Sequence, residues 1–228
     1  MKTRVVVTGI GMVSPLGLTR NTTWKGLLDG RSGIDRISSF DPDGLETKIA
    51  GEVKGFEPTD YTGRKESRRM DRFAQLGLAA TLEAVEQAGL KIDDGNRERV
   101  SVMIASGIGG IITLSEQIGV LNDRGASRVS PFLVPMMLPD MASGQVSMVL
   151  GAKGPNFATV SACSSGADTV GVAFQLLRTG VVDVVVAGGS EAAICPIGIA
   201  GFNSCKALST RNDEPQKASR PFDAERDG

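Results

Sequence analysis

The sequence predicts an α/β fold, because β-branched runs alternate with segments in which apolar residues recur at helical spacing. The clearest helical segment is residues 64–88, which ends at Gly89, a residue typical of helix C-termini. With 228 residues and neither a repeat nor a linker, the chain fits one large domain or two small ones. The predicted strands are residues 2–8, 100–105, 158–162 and 181–187, the last of them covered on both faces.

The shorter elements are predicted from capping residues and prolines. Asn21 is expected to cap a short helix that ends at Gly30 and has an apolar face of Trp24, Leu27 and Leu28. The segment 167–178 is apolar on most sides, which predicts a buried helix. The other predicted segments are a helix over 113–121, a proline-shaped loop over 130–139, a helix over 141–150 capped by Asp140, and loops after Gly189.

Composition excludes several classes of function. The 25 Lys and Arg residues balance 26 Asp and Glu residues, which gives no general attraction to nucleic acid or to an anionic membrane. No apolar run approaches the roughly 18 residues of a spanning helix, and the N-terminus lacks a signal-peptide pattern. Three cysteines are too few for a disulfide framework, so we expect a cytoplasmic protein. The sequence has no histidine, which excludes imidazole catalysis from within this chain.

The glycine pairs do not predict a nucleotide site. Gly9 and Gly11 follow a predicted strand, but Ser14 and Pro15 stand where a dinucleotide-binding turn needs a third small residue and an unbroken helix. No Gly-Lys-Ser/Thr sequence occurs, which excludes a P-loop. Cysteine spacings of 32 and 10 residues without histidine make no zinc site. We therefore expect no cofactor and no metal.

Cys163 is the candidate nucleophile. It follows a predicted strand and precedes a predicted helix, as in the turns that expose a catalytic side chain. The positive end of the helix dipole favours a thiolate there, and small neighbours leave room for a substrate. Cysteine is also a common buried packing residue, so local context leaves both interpretations open. Cys195 and Cys205 lack such a turn and are predicted to be structural.

A basic cluster begins the long predicted helix. Lys65, Arg68, Arg69 and Arg72 have the spacing of residues that share one helical face. Cations near a helix N-terminus are mildly destabilising because they oppose the helix dipole. That cost favours a binding role for these residues, with a small acidic partner. The alternative is an ordinary solvated face.

Taken together, the motifs resemble the N-terminal half of the β-ketoacyl-acyl-carrier-protein synthases of the KAS II type, the condensing enzymes of fatty acid synthesis. The matching segments are residues 5–17, 71–73, 107–110, 130–132, 160–163, 187–191, 207–212 and 219–222. The resemblance implies the thiolase fold, in which two similar βαβαβαββ halves form a layered αβαβα core within a homodimer. Residues 1–228 would supply the first half and break off in a loop. The second half, absent here, would carry two catalytic histidines and a lysine.

The resemblance also implies roles for individual residues. Cys163 would accept the acyl chain from a carrier thioester and pass it to the carbanion formed when malonyl-carrier loses CO₂. Its backbone amide would be one donor of the oxyanion hole. The acyl-chain pocket would include Ile108, Gly198 and Phe202 from the same subunit and Leu133 and Met137 lent by the dimer partner. The acyl carrier protein would bind Lys65, Arg68, Arg69, Arg124, Arg128 and Lys206.

Two alternatives remain at the level of sequence. Ser164 and Ser165 stand where Ala or Thr is common in the fatty acid enzymes, which leaves a polyketide-type ketosynthase open. A non-catalytic half-domain that binds acyl chains or carrier protein is the other alternative. Neither nucleic acid nor membrane is an expected partner.

Overall fold

The computed structural model describes residues 4–228 and divides them into two compact units. The first unit contains residues 4–11 and Glu57–Ala192, and the second contains Met12–Phe56 and Ala193–Gly228. The helices are α1 (Arg20–Leu28), α2 (Arg64–Ser67), α3 (Arg72–Ala88), α4 (Ile111–Arg124), α5 (Leu133–Met137), α6 (Met141–Leu150), α7 (Ser165–Arg178) and α8 (Pro196–Ser204). The strands are β1 (Asp35–Arg36), β2 (Ile49–Ala50), β3 (Val100–Ala105) and β4 (Val184–Gly189).

The first unit is built on the parallel pair of β3 and β4. The register aligns Val100 with Val184 and Ala105 with Gly189, so the carboxyl ends of both strands lie together. Helices α3 and α6 pack on each other, α6 packs on β3, and α7 packs on both strands. Phe73, Leu78 and Val102 are almost fully buried at the centre of the core, and each contributes roughly 1.5–3 kcal/mol through burial of apolar surface.

The helix predicted over residues 64–88 is interrupted. The structure has a short α2 followed by α3, and Asp71 caps the second helix by accepting a 3.3 Å hydrogen bond from the Phe73 amide. The predicted end is confirmed, because Gly89 adopts the left-handed conformation with φ of 59°. The interruption means that the four basic residues do not share one continuous helical face, as the spacing had predicted.

Two predicted strands are absent from the part of the chain that the structure describes. Residues 4–8 form no ladder, while residues 2 and 3 of that predicted strand lie outside the described residues. Gly9 and Gly11 instead pack on α3, where a Cβ would come within 2.1 Å of the Ala84 carbonyl oxygen and 1.7 Å of the Ala80 carbonyl oxygen. Residues 158–162 are also not a strand. Side chains bond to backbone groups that a β-ladder would need, as when the Ser161 amide donates to Ser165 Oγ.

Helix α7 and strand β4 are less buried than the sequence predicts. Thr169 and Ala173 of α7 are buried against the sheet, but Val170 and Phe174 are 56% and 40% exposed. The β4 residues are half-buried or exposed rather than covered on both faces. Each element therefore packs against the rest of the unit with one face only. Apolar residues are present on every face of both elements, so their pattern does not indicate which face is buried.

The predicted boundaries of the other helices are close to those observed. The predicted segment 113–121 lies inside α4, and α6 ends before Gly151 as expected. Asp140 occupies the N-cap position of α6, but its side chain makes no capping hydrogen bond. The loops predicted over 130–139 and after Gly189 are wrong in part, because they contain α5 and α8.

The second unit contains α1, α8 and the antiparallel pair of β1 and β2. Thr19, rather than the predicted Asn21, caps α1 through a capping box with Thr22. The expected apolar face of α1 is largely exposed, with Trp24 at 57%. No helix within residues 4–228 is both long enough and apolar enough to cross a membrane.

Candidate active site

Cys163 lies exposed on a tight turn directly before α7. The preceding residue, Ala162, adopts φ of 54°, a left-handed conformation that costs a non-glycine residue roughly 1–2 kcal/mol. Residues Ala162–Ser164 form a 3-10 turn that leads straight into the first turn of α7. We call residues 161–165 the Cys163 turn. Its strained backbone presents the thiol at the N-terminal end of a helix, as the sequence predicts.

Buried hydroxyl groups hold the Cys163 turn. Ser165 Oγ accepts a 2.9 Å hydrogen bond from the Ser161 amide and donates a 2.7 Å hydrogen bond to the Ala162 carbonyl. The Thr159 hydroxyl donates to the Ser165 carbonyl at 3.0 Å and lies 2.5 Å from the hydroxyl of Thr169. Ser165 and Thr169 are almost completely buried, so the energy of these bonds is little reduced by water. The network fixes the left-handed residue from both sides.

A second set of polar contacts covers the solvent side of the turn. Asp168, in the first turn of α7, accepts a short hydrogen bond from the Ser161 hydroxyl. Ser164 Oγ lies 2.9 Å from the Ser161 carbonyl oxygen and 3.4 Å from the Asp168 carboxylate. A carboxylate in this position also stabilises α7 through its helix dipole.

Glycines bring the turn close to the end of the sheet. A Cβ on Gly189 of β4 would lie 3.1 Å from the Cα of Gly166 in α7. A Cβ on Gly107, just after β3, would lie 3.2 Å from the Ala162 carbonyl oxygen. The Cys163 turn thus lies against the carboxyl ends of both strands, where larger residues would displace it.

The turn after β3 carries Ile108 and lies beside the Cys163 turn. We call residues 106–110 the Ile108 turn. Glu191 Oε2 accepts hydrogen bonds from the amides of Gly107 and Ile108 at 2.8 and 3.1 Å, and Glu191 Oε1 accepts one from the Ser106 hydroxyl at 3.0 Å. Ile108 itself is 39% exposed. The Glu191 carboxylate therefore fixes the backbone of this turn, and the turn exposes the Ile108 side chain to solvent.

The five predicted pocket residues fall into two groups. Ile108 lies near α5, which carries Leu133 and Met137, because the Gly110 amide donates a 3.1 Å hydrogen bond to the Met137 carbonyl. Gly198 and Phe202 belong to the second unit and stand one turn apart on α8. The structure therefore brings Ile108, Leu133 and Met137 into one region of the first unit.

In the second unit, Phe202 lines an apolar cavity of about 460 Å³ together with Ile49, Ile199 and Leu208. Gly198 has a packing reason for its small size, because a Cβ there would come within 2.2 Å of the Ala193 carbonyl oxygen.

The predicted carrier-binding residues are all exposed. Lys65, Arg68 and Arg69 line an open cavity of about 420 Å³ with Arg64 and Phe132, although they do not share one helix. The Arg69 guanidinium stacks over the Phe132 ring, 4.4 Å from its centroid.

The other three predicted carrier-binding residues lie elsewhere. Arg124 ends α4 and Arg128 ends the 3-10 turn that follows it. Lys206, in the second unit, forms a 3.1 Å ion pair with Glu46. Five of the six predicted residues belong to the first unit and form no ion pair within residues 4–228: Lys65, Arg68, Arg69, Arg124 and Arg128. We call Lys65, Arg68 and Arg69, which line one cavity, the basic surface.

Sequence reasoning missed the residues that hold these turns. Glu191 was part of a matching motif but had no predicted role, and nothing in its local sequence indicates the Ile108 turn as its partner. Asp168 follows Cys163 closely and lies in the first helical turn, so its proximity was the available signal. Among residues 4–228, no group of three or more His, Cys, Asp or Glu side chains is placed to hold a metal ion.

The fold and the cysteine turn define the class, which is that of the thiolase-fold ketosynthases. A solved β-ketoacyl synthase from Burkholderia phymatum superposes on the whole chain and on 56% of its own length with a TM-score of 0.87 and 33% identity. The ishigamide ketosynthase/chain length factor gives a TM-score of 0.88 at 28% identity, over the whole chain and 55% of its own length. The chain belongs to the β-ketoacyl synthase family, because the model of the family's N-terminal domain matches residues 2–228.

Curated relatives give a more particular likeness. The chain is 48% identical over 227 residues to 3-oxoacyl-[acyl-carrier-protein] synthase 2 of Synechocystis and 49% identical over 225 residues to that of Staphylococcus aureus strain N315. The alignments cover 100% and 99% of this chain, and 55% and 54% of those proteins. The chain therefore spans about half the length of the curated relatives it matches.

Proposed function

We propose that this chain carries the nucleophile of a 3-oxoacyl-[acyl-carrier-protein] synthase that performs decarboxylating Claisen condensation in fatty acid synthesis. The observation that carries the proposal is the exposed Cys163 on a strained turn at the N-terminus of α7. The Cys163 thiol is exposed there and can attack a substrate carbonyl, whereas Cys195 is buried.

The chemistry begins with acyl transfer. The Cys163 thiolate attacks the carbonyl carbon of an acyl-carrier thioester, a new S–C bond forms, and the S–C bond to the carrier breaks. The carrier leaves as a thiolate and takes a proton from the solvent. Malonyl-carrier then loses CO₂, and the resulting carbanion attacks the acyl carbon. The C–C bond forms as the bond to Cys163 breaks, which regenerates the thiolate.

The tetrahedral intermediate of acyl transfer needs hydrogen-bond donors on its oxyanion. No hydrogen bond to the Cys163 backbone amide is found within residues 4–228, so this amide is available as one donor. The sequence contains no histidine, so the imidazole donors for decarboxylation must come from residues outside positions 1–228. We infer that these residues form the second half of the thiolase fold.

The acidic partner is proposed to be an acyl carrier protein. Five exposed cations that form no ion pair within residues 4–228 support the docking of an anionic partner on the first unit. One structural relative, which shares 28% identity, is a type II polyketide acyl-carrier protein in complex with its ketosynthase. The basic surface, with Arg124 and Arg128, would bind the carrier, and Ile108, Leu133 and Met137 would line the acyl pocket. The roles implied for Gly198, Phe202 and Lys206 of the second unit stay predictions.

A fatty acid substrate is favoured over a polyketide by identity. The curated 3-oxoacyl-[acyl-carrier-protein] synthase 2 relatives share 48–49% identity with the chain, whereas the type II polyketide complex shares 28%. We further propose that the protein works as a homodimer in the cytoplasm.

Acylation of the complete protein, expressed from its full reading frame, tests the proposal. Incubation with an acyl-loaded carrier should add one acyl mass to the peptide that contains Cys163, and malonyl-carrier should then yield β-ketoacyl-carrier and CO₂. Cys163→Ser should abolish the adduct, while the matched variant Cys205→Ser should retain it. An adduct on Cys205, or none on any cysteine, would contradict the proposal.

A further inference from the structure

Glu191 makes contacts that the proposed condensation does not account for. It follows β4 by two residues, yet its carboxylate reaches the turn after β3 and accepts three hydrogen bonds of 2.8 to 3.1 Å. Two of the donors are the consecutive backbone amides of Gly107 and Ile108, and the third is the hydroxyl of Ser106, which is 1% exposed.

Consecutive amides that point to one side form a concave anion-binding turn. In this protein the anion is a side chain of the same chain. The Ser106 hydroxyl oxygen accepts a 2.8 Å hydrogen bond from the Gly109 amide while its proton points to Glu191. Three amides of the Ile108 turn are therefore connected, directly or through Ser106, to one carboxylate. Hydrogen bonds to a charged group are worth roughly twice those between neutral groups.

The base of Glu191 is itself held in place. The adjacent Ser190 amide donates a 2.8 Å hydrogen bond to the Ala105 carbonyl at the end of β3, and the Ser190 hydroxyl donates to the Phe73 carbonyl at 2.6 Å. The Ile108 turn therefore depends on a carboxylate anchored to the sheet and to α3.

The Ile108 turn also lies against the Cys163 turn. A Cβ on Gly107 would lie 3.0 Å from Glu191 Oε2 and 3.2 Å from the Ala162 carbonyl oxygen, so Gly107 lies between the carboxylate and the backbone of the Cys163 turn. Ile108 is the large apolar side chain that this arrangement presents to solvent.

We propose that Glu191 is a positioning residue that sets acyl-chain selectivity by fixing the Ile108 turn beside Cys163. The inference rests on the proposed acyl transfer to Cys163. Without the carboxylate, two adjacent amides and the Ser106 hydroxyl lose their common acceptor, and the turn is free to change conformation. Ile108 then no longer occupies one position toward the acyl chain.

The test compares kcat/KM for a long and a short saturated acyl carrier in the complete protein. Glu191→Ala should change the long-to-short ratio by about tenfold, the scale on which pocket contacts discriminate between chains. Glu191→Gln should restore most of the wild-type ratio, because its amide oxygen still accepts from the two backbone donors and keeps the shape. Glu86→Ala removes an exposed carboxylate from α3 and should leave the ratio unchanged.

A double-variant cycle separates positioning from general stability. If Glu191 acts through Ile108, Glu191→Ala should leave the ratio unaltered in an Ile108→Ala background. A ratio unaltered by Glu191→Ala in the wild-type background, or equal effects in both backgrounds, would overturn the inference. If Glu191→Ala does not fold, a tenfold change in Glu191→Gln would overturn it as well, since the isosteric acceptor should suffice. Failure of wild-type acylation at Cys163 would instead overturn the proposed function.

Discussion

The two exposed cysteines lie at opposite ends of helices, and this difference predicts their reactivity. Cys163 precedes the N-terminus of α7, where helix N–H groups can stabilise negative charge that develops on sulfur, whereas Cys205 is the C-cap of α8, where carbonyl groups are nearest. With limiting iodoacetamide at neutral pH, we expect Cys163 to be alkylated at least about tenfold faster than Cys205. Peptide mass mapping measures both rates in one sample. Equal rates would show that the turn does not activate Cys163.

Buried Cys195 provides the control for folding in that experiment. It should react only when the protein is unfolded, because it is 6% exposed. Early labelling of Cys195 would mean that the sample was not native, and the ratio of the other two rates would then be measured again in folded protein.

The left-handed conformation of Ala162 predicts an unusual gain in stability. Ala162→Gly removes the Cβ that this backbone disfavours, so the free energy of unfolding should rise by about 1 kcal/mol. Ala80→Gly, within α3, should lower it by at least about 1 kcal/mol. Urea unfolding of both variants measures the difference. A loss of stability in Ala162→Gly would contradict the claim that this residue is strained.

At the scale of single residues, the sequence predicts the turn at Cys163 but not the side chains that hold it. Small residues between a strand-like run and a helix indicate a turn at Cys163. The conformation of Ala162 is not predictable, because alanine gives no signal for positive φ. The role of Glu191 is hidden because its partners are backbone amides more than eighty positions away.

Two helices begin at one buried carboxylate. Asp71 is 2% exposed, and its two oxygens accept hydrogen bonds from the Phe73 amide at the start of α3 and the Thr113 amide at the start of α4. Asp71→Ala should cost about 2–3 kcal/mol of unfolding free energy, because it leaves two buried donors unpaired.

Asp71→Asn serves as the matched comparison, since it keeps the shape but only one accepting oxygen. Its loss should lie between those of wild type and Asp71→Ala in the same urea experiment. Equal stability of all three proteins would show that water can replace the Asp71 carboxylate as the hydrogen-bond acceptor of the Phe73 and Thr113 amides.

The basic surface predicts salt-dependent binding of an acidic carrier. Lys65→Glu combined with Arg68→Glu should weaken binding by at least about tenfold, and wild-type affinity should fall as salt rises. The matched control is Lys91→Glu with Lys153→Glu, which changes the charge equally at two exposed residues that do not line the cavity of the basic surface. Calorimetric titration with an acyl-loaded carrier measures both. Equal weakening by the two pairs would indicate a general charge effect and not a docking surface.

At the scale of elements, helices were predicted better than strands. Apolar patterns locate α3 and α7, and Asp140 with Gly151 locates α6, since a helix satisfies its own backbone and depends on local signals. The same spacing continues across Asp71 and therefore hides the break before α3. A strand requires a partner elsewhere in the chain, so β-branched residues at 4–8 and 158–162 do not suffice without one.

For the whole molecule, we expect residues 1–228 expressed alone to form no β-ketoacyl product. They contain no histidine to donate hydrogen bonds during decarboxylation, and one such preorganised donor is worth roughly 10²–10³ in rate. Exposed apolar side chains, such as Val170, Phe174 and Ile118, should also cause self-association.

Size-exclusion chromatography and CO₂ release from malonyl-carrier measure the two effects, with a full-length relative assayed alongside. Monodisperse residues 1–228 that release CO₂ at the rate of the relative would refute the expectation.

The parallel pairing of β3 with β4 determines when the active site is assembled. Arg99 and Asp183, which flank the two strands and form an ion pair, are 84 positions apart. At a synthesis rate of about 5–20 residues per second, β3 waits roughly 4–17 s on the ribosome for its partner. The Cys163 turn lies against Gly189 at the far end of that partner, so its final geometry forms only after residue 189 has been made. The reactivity of the Cys163 thiol therefore reports the pairing of β4 with β3 in a newly made chain.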